Sequence, residues 1–216
     1  MDIIDLSLPL TSGMPHYPGA APVYLAEGQR FEDGGFRTSL VALGSHSGTH
    51  LDAPSHFLRD GSGIGEIALE RCVGEAQVLD LSAKGAGEPI TIDDLAQFEG
   101  AVTAGARLLL RTDWDEQFGR EEYFTDYPPL APEAAAWLAE QGIFLLGLDI
   151  PSVHPTAYAE MHVALLSASV VIVESLAKLR FLLSPRVFLC AAPLNLVESD
   201  GSPVRAFALE GMPPNG

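Results

Sequence analysis

The sequence predicts an α/β fold: one domain over residues 1–216, with a mixed β-sheet or partly closed β-barrel core flanked by helices. Three observations carry this reading. Strand-like segments crowd the first part of the chain, and strands then alternate with helices. Runs such as Arg107–Arg111 (RLLLR) and Ile143–Asp149 (IFLLGLD) have the continuous hydrophobicity of strands covered on both faces. No internal repeat and no linker-like composition divides the chain, whose 216 residues suffice for one sizeable core.

Residues 3–8 form the first expected strand, followed by a loop from Thr11 to Pro22 that Pro15, Pro18 and Pro22 keep out of helix and central strand. His16 and Tyr17 sit in its middle, where a stiff loop with an aromatic can line a pocket. Two strands, VYLAEG and FRTSLVALG, follow as a hairpin turning near Asp33, Gly34 and Gly35. Arg59–Gly63 is a flexible loop, and residues 77–82 form another strand. A short helix is expected over 88–100, with Thr91 as N-cap and Asp93 and Asp94 in its first turn. The Arg107–Arg111 strand comes next, then a polar and aromatic loop over 118–129. Pro132–Gln141 is a helix with proline at its start and Gly142 after its end. Beyond the Ile143–Asp149 strand lie a loop (150–155), a helix (157–167), strands at Ser169–Glu174 and Arg186–Ala192, a turn at 201–203 and a last strand over 204–209.

Composition narrows the function. Apolar residues make up 47% and charged residues 19%, a globular balance. The formal charge of −17 repels nucleic acid and anionic membrane surfaces and argues against both as partners. No apolar run has the length of a membrane span, and the acidic start MDIIDLSLPL lacks the basic region of a secretory signal, so a cytoplasmic location is expected. Cys72 and Cys190 make no metal motif or disulfide framework and read as packing residues.

The chemistry concentrates in Gly44–Phe57 (GSHSGTHLDAPSHF), which carries His46, His50, Asp52 and His56. Their even offsets would place all four side chains on one face of an extended backbone. Exposed, idle histidine tracts are usually polar and low in complexity, whereas this stretch has apolar flanks. Separately buried histidines beside an aspartate would be costly to desolvate without a cation. Nitrogen and carboxylate donors at this density suit zinc or manganese. His46, His50 and Asp52 could supply three ligands, with His56 a nearby base. Glu174, ending an apolar strand, and His162, on a helix, are further candidates; on their own, Glu174 reads equally as a salt-bridge or cap residue, and His162 reads more readily as a helix-face histidine than as a ligand.

The stretch HSGTHLDAPSHF closely resembles the signature of the metal-dependent cyclase family of hydrolases, which includes bacterial kynurenine formamidases and isatin hydrolases. Further matches are Pro15–Pro18 (PHYP), residues 147–153 (GLDIPSV), the spacing from His162 to Glu174, and Asp200–Ala206 (DGSPVRA), so the resemblance covers nearly the whole chain. It implies a swivelling β/α-like fold and a binuclear centre of zinc, two ions per subunit, with manganese as the alternative. On that pattern His46, His50 and Asp52 bind the first ion, Asp52 also reaches the second, His162 binds the second, and Glu174 contacts both. His56 matches the catalytic acid/base, working with a metal-bound hydroxide. Tyr17 stands where the formamidases have a substrate-contacting tryptophan, and His154 where an aspartate is expected. The implied activity is hydrolysis of N-formyl-L-kynurenine to L-kynurenine and formate in tryptophan degradation. Hydrolysis of isatin or another cyclic amide or lactone is the alternative, and a metal-binding protein without turnover a more remote one. The implied partners are a small-molecule substrate and further copies of the chain, as a homodimer or larger homo-oligomer.

Overall fold

The structure is a computed structural model that describes residues 1–98 and 100–211. Its strands are β1 (Asp2–Asp5), β2 (Tyr24–Glu27), β3 (Ser39–Ala42), β4 (His50–Asp52), β5 (Val73–Asp80), β6 (Arg107–Arg111), β7 (Leu145–Leu148), β8 (Val171–Glu174), β9 (Arg186–Cys190), β10 (Gly201–Pro203) and β11 (Phe207–Glu210). The helices are α1 (Phe31–Gly34), α2 (Leu69–Cys72), α3 (Ile92–Ala96), α4 (Pro132–Glu140) and α5 (Tyr158–Ser167).

Nine strands make one mixed sheet in the order β1-β11-β9-β5-β6-β7-β8-β4-β10, while β2 and β3 pair separately. The β5–β6, β6–β7 and β7–β8 pairs are parallel. Parallel neighbours need a crossover, and α4 and α5 supply those between β6, β7 and β8. Alternate residues of these strands feed two cores, as a period of two requires. Leu108, Leu110, Leu146, Leu148 and Ile172 pack with Leu138 of α4 and Leu165 of α5. Leu109, Leu145, Val171 and Val173 point the other way, onto Leu6, Leu51 and Leu189. Just past β1, Ser7 bridges to Leu176 just past β8, and the Ala177 N–H donates to the Leu6 carbonyl at 2.9 Å. The sheet thus bends back on itself as a partly closed barrel, with β4 and β10 extending beyond β8.

Several elements differ from the sequence expectation. The β2–β3 hairpin turns through the helical turn α1 rather than a tight Asp-Gly turn, with Gly35 at φ 74° closing it. The helix expected over 88–100 is confined to Ile92–Ala96; Thr91 caps it, its Oγ1 accepting from the Asp94 N–H in a capping box. Glu99, inside that expected span, lies outside the described residues. The strand expected at 77–82 begins at Val73, because β9 pairs with it antiparallel from Val73 to Gln77. The expected turn at 201–203 is a strand, because β10 pairs with β4. The last strand begins at Phe207, not 204. Of the Gly44–Phe57 stretch, only His50–Asp52 is strand; Pro54 starts a 3-10 turn through His56.

Asp149, just past β7, is fully buried and anchors the loop after β6. Its Oδ2 accepts from the backbone N–H groups of Thr112 and Asp113, both at 2.8 Å, and its Oδ1 from the Thr112 hydroxyl at 2.5 Å. Burial pushes its pKa up to about 7, against these donors. A raised folded-state value means that Asp149 favours the fold fully below its unfolded pKa near 4, and that this stability is lost as pH rises toward 7. Asp149→Asn offers the same acceptor to the two N–H groups and stays neutral. Its stability relative to the parent should rise between pH 4 and 7, by up to about 4 kcal/mol, as read by urea melts across that range. A pH-independent difference would show that Asp149 titrates normally.

Candidate metal centre

Four histidines and two carboxylates meet where β4, β8 and α5 come together. The β4–β8 register sets His50 opposite Glu174, which places both on one face of the sheet, and Asp52, two residues on, shares that face. All three side chains are buried, as is His162 of α5. His46 and His56 reach the same space from the turns before and after β4. The even offsets therefore pointed to a real convergence through a partly wrong geometry: the backbone bends twice within the stretch.

The distances show what the cluster can hold. The Nε2 of His162 lies 3.2 Å from Asp52 Oδ2 and 3.2 Å from Glu174 Oε1. The Nε2 of His50 lies 3.4 Å from Asp52 Oδ1 and 3.5 Å from Glu174 Oε2. The other ring nitrogen is engaged in each case. His50 Nδ1 donates to the Gly48 carbonyl at 2.8 Å, and His162 Nδ1 to the Tyr158 carbonyl at 2.7 Å. When the rings are neutral, both Nε2 atoms therefore turn lone pairs toward carboxylate oxygens. Asp52 Oδ2 and Glu174 Oε1 are buried and have no hydrogen-bond partner among the described residues. Acceptors converging on acceptors need a proton or a cation between them, and backbone-anchored imidazoles with carboxylates form a ligand set of the kind that binds transition metals. His50, Asp52 and Glu174 lie close enough to share one ion, and His46, Asp52 and His56 form a second such group.

The titration behaviour follows from this crowding. Burial opposes a charge on His46, but the bonds to Asp52 and Asp200 prevail and raise it to about 9. At His162 burial is likewise outweighed by Asp52 and Glu174, and its value rises to about 10. Asp52 is held well below the usual carboxylate range: burial opposes its charge, but His162 and His46 overcome that. His56 goes the other way: burial pushes it below the ordinary imidazole value.

The cluster forms the floor of a cavity of about 250 Å³ whose walls include Tyr17, Phe57, Ser152 and Tyr158. Phe57 stacks on the His162 ring, 4.5 Å between centroids, and Tyr17 stands edge-on to Phe124. Aromatic walls above a polar floor suit an aryl substrate whose reactive group points down.

A family model described as "Putative cyclase" matches residues 4–155. The chain belongs to the cyclase family. Among similar cyclase-family proteins, the kynurenine formamidase of Erythrobacter litoralis is 35% identical over 211 residues, covering 96% of this chain and 94% of that protein. The solved structure of isatin hydrolase A from Labrenzia aggregata, bound to benzyl benzoate, superposes with a TM-score of 0.87 at 28% identity, covering 96% of this chain and 93% of that one. A predicted metal-dependent hydrolase from Bacillus stearothermophilus superposes with a TM-score of 0.82 at 28% identity, covering 96% and 97%. As a cyclase-family member with this donor set, the protein uses a metal cofactor.

Every site residue expected from the sequence lies at this cavity or its floor, whereas His154 does not line it. The His154 Nδ1 accepts from the backbone N–H groups of Thr156 and Ala157, at 3.1 and 2.9 Å, ahead of α5. That is work an aspartate carboxylate could do equally well. Sequence reasoning missed Asp200. Its Oδ2 lies 3.1 Å from His46 Nε2 and 3.5 Å from His56 Nδ1, bracing two imidazoles that stack 3.9 Å apart. The Asp200–Ala206 motif was visible, but reading Gly201–Pro203 as a turn hid its pairing with β4. Gly201 matters for the same reason. A Cβ there would stand 2.6 Å from the His46 ring. Gly201→Ala should displace that ring and weaken metal retention by about tenfold or more, measured as metal content after dialysis against graded chelator. Unchanged retention would show that the His46 ring can move aside without consequence.

Proposed function

We propose that the protein is a metal-dependent amidohydrolase that converts N-formyl-L-kynurenine and water to L-kynurenine and formate. The observation that carries this reading is the pair of unpartnered carboxylate oxygens, Asp52 Oδ2 and Glu174 Oε1, facing imidazole nitrogens on the floor of an aromatic-walled cavity. The kynurenine formamidase relative supports the substrate. Ring opening of isatin or a related cyclic amide or lactone is the second reading, favoured by the structural likeness to isatin hydrolase A.

His46, His50 and Asp52 would hold one ion, and His162 the other, with Asp52 and Glu174 shared between them. Zinc suits the set, and manganese is accepted by the same mixture of imidazole and carboxylate. When bound, the metal supplies Lewis acidity for the amide carbonyl and a lowered pKa for water. The chain's own residues do the rest. Tyr17 and Phe57 hold the aryl ring and keep bulk water from it. His56 is kept neutral at pH 7 by burial, so it can take a proton. Its Nδ1 faces Asp200, which leaves Nε2 to accept the proton from water and return it to the departing aniline nitrogen. Without that proton the nitrogen would have to leave as an anion.

The chain also presents a surface suited to self-association. In the β2–β3 arm and its connecting turn, Tyr24, Phe31, Phe36, Leu40 and Val41 are each more than half exposed. A lone hairpin is marginal in water, and pairing with a second copy would cover on the order of 1,000 Å² in total, where specific interfaces begin. This reading is a homodimer or a larger homo-oligomer, and sedimentation of Leu40→Glu against the parent tests it; identical, monomeric profiles would refute it.

The activity has a direct assay. Metal-loaded protein should release formate from N-formyl-L-kynurenine, and His56→Ala should lower kcat by about 10²–10⁴-fold with metal content unchanged; parallel loss of metal would make His56 a ligand. Because His46 and His162 bind protons tightly at pH 7, metal must displace them. Calorimetry in buffers of different ionisation enthalpy should show proton release on metal binding at pH 7, and weaker binding as pH falls. Binding without proton release would contradict the assignment of both imidazoles as ligands.

A further inference from the structure

His154 does not line the cavity, yet it works on the stretch of chain that sets part of the cavity wall. Its Nδ1 accepts from the backbone N–H groups of Thr156 and Ala157 at 3.1 and 2.9 Å, and the Thr156 hydroxyl lies 3.4 Å away. A ring nitrogen accepts only while it carries no hydrogen, so these bonds belong to the neutral ring alone. Helix α5 has no side-chain cap at Ala157, and His154 gathers the amides of the turn before it. The upstream side of that turn is anchored separately, since the Leu130 N–H donates to the Val153 carbonyl at 2.9 Å. Downstream comes Tyr158, the first residue of α5. Its side chain walls the cavity, and its carbonyl accepts from His162 Nδ1 at 2.7 Å.

We propose that His154 is a positioning residue for the start of α5, engaged while its ring is neutral and released when the ring is protonated. Imidazole is the side chain that changes charge near neutral pH. On protonation Nδ1 gains a hydrogen that points at two N–H groups. Both bonds are lost, and the new charge lies ahead of the positive end of the α5 dipole. With Val153 held, the freed segment is 155–158, so the displacement falls on Tyr158 and on the carbonyl that orients His162. His154 is partly exposed, so protons reach it. The charged groups on the elements around the turn are Arg59 and Asp60 after His56, Asp126 before Leu130, Glu133 in the first turn of α4 and Glu160 in the first turn of α5. Among the described residues none of them pairs with His154, so the amides of its own turn are what its protonation disturbs. A carboxylate in the same place would keep accepting down to about pH 4; the imidazole makes the wall sensitive to mild acid. That sensitivity is separate from competition between protons and metal, and it does not depend on which substrate the cavity takes.

The test uses metal-loaded full-length protein and compares the parent with His154→Asn, whose amide oxygen can accept from the same N–H groups at every pH. NMR spectra from about pH 8 to about pH 5.5 should show the Thr156 and Ala157 amide signals and the Tyr158 ring signals of the parent moving with one inflection, shared with the His154 ring. In His154→Asn the amide signals should stay flat, and the Tyr158 signals should lose that inflection. With metal saturating and its content measured at each pH, kcat/KM of the parent relative to that of the variant should fall about three- to tenfold over the same range. Acid acts on the metal floor of both proteins alike, so that effect cancels in the ratio. His154→Asp keeps its acceptor above about pH 4 and should behave as His154→Asn does, which preserves the test if one variant folds poorly. Amide signals that do not titrate with the His154 ring would overturn the proposal. So would amides that titrate while the Tyr158 signals and the kcat/KM ratio do not, because the turn would then position nothing at the cavity. If the parent hydrolyses neither N-formyl-L-kynurenine nor isatin, the amidohydrolase reading fails, while the amide and Tyr158 signals still decide the role of His154.

Discussion

Two carboxylates buried within reach of the same imidazole, those of Asp52 and Glu174, set the terms for the rest of the site. Two like charges about 4 Å apart at an effective dielectric of 20 repel by about 4 kcal/mol, and each also loses hydration. Adjacent strands tolerate such a pair only if positive charge lies within contact distance. The imidazoles provide it in protonated form, which is why His46 and His162 are driven so far above their ordinary values. A divalent cation answers the same demand more fully. Much of the surrounding structure follows from this requirement. The Gly48 and Tyr158 carbonyls fix which ring nitrogen faces inward, and the bare backbone of Gly201 leaves room for the His46 ring.

The fold class was legible because apolar runs and period-two alternation respond to burial, which a sequence records directly. Strands β6, β7 and β8 needed little more than their hydrophobicity. What escaped was pairing that depends on distant residues. Nothing near Gly201 says that residues 201–203 will lie against residues 50–52, and nothing near Val73 says that β9 will extend β5 backward. The candidate site was visible where its side chains are close in sequence, at His46, His50, Asp52 and His56. His162 and Glu174 were persuasive only through the family pattern, because chain crossings bring them in. Asp200 was overlooked for the same physical reason: its place depends on β10.

His154 shows a different limit. Its departure from the expected aspartate suggested a change in the pocket, yet the side chain works on backbone amides ahead of α5. Oxygen and nitrogen acceptors can both hold the backbone of the turn that leads into α5, so an imidazole serves where a carboxylate was expected. That helix carries His162, so the turn bears on the floor of the cavity through the backbone rather than through the cavity walls. Ser152, two residues earlier, faces the cavity instead. Short spacing along the chain did not separate the scaffold from the recognition surface.

The pairing of β10 with β4 also bears on how the protein matures. Side chains near residue 50 meet a partner strand that begins at Gly201, so a chain emerging from the ribosome holds most of its candidate donors long before it holds the strand and carboxylate that brace them. The histidine-rich stretch must wait, half-assembled, for nearly the whole chain to appear. The braced arrangement of the His46 and His56 rings therefore depends on residues made long after them.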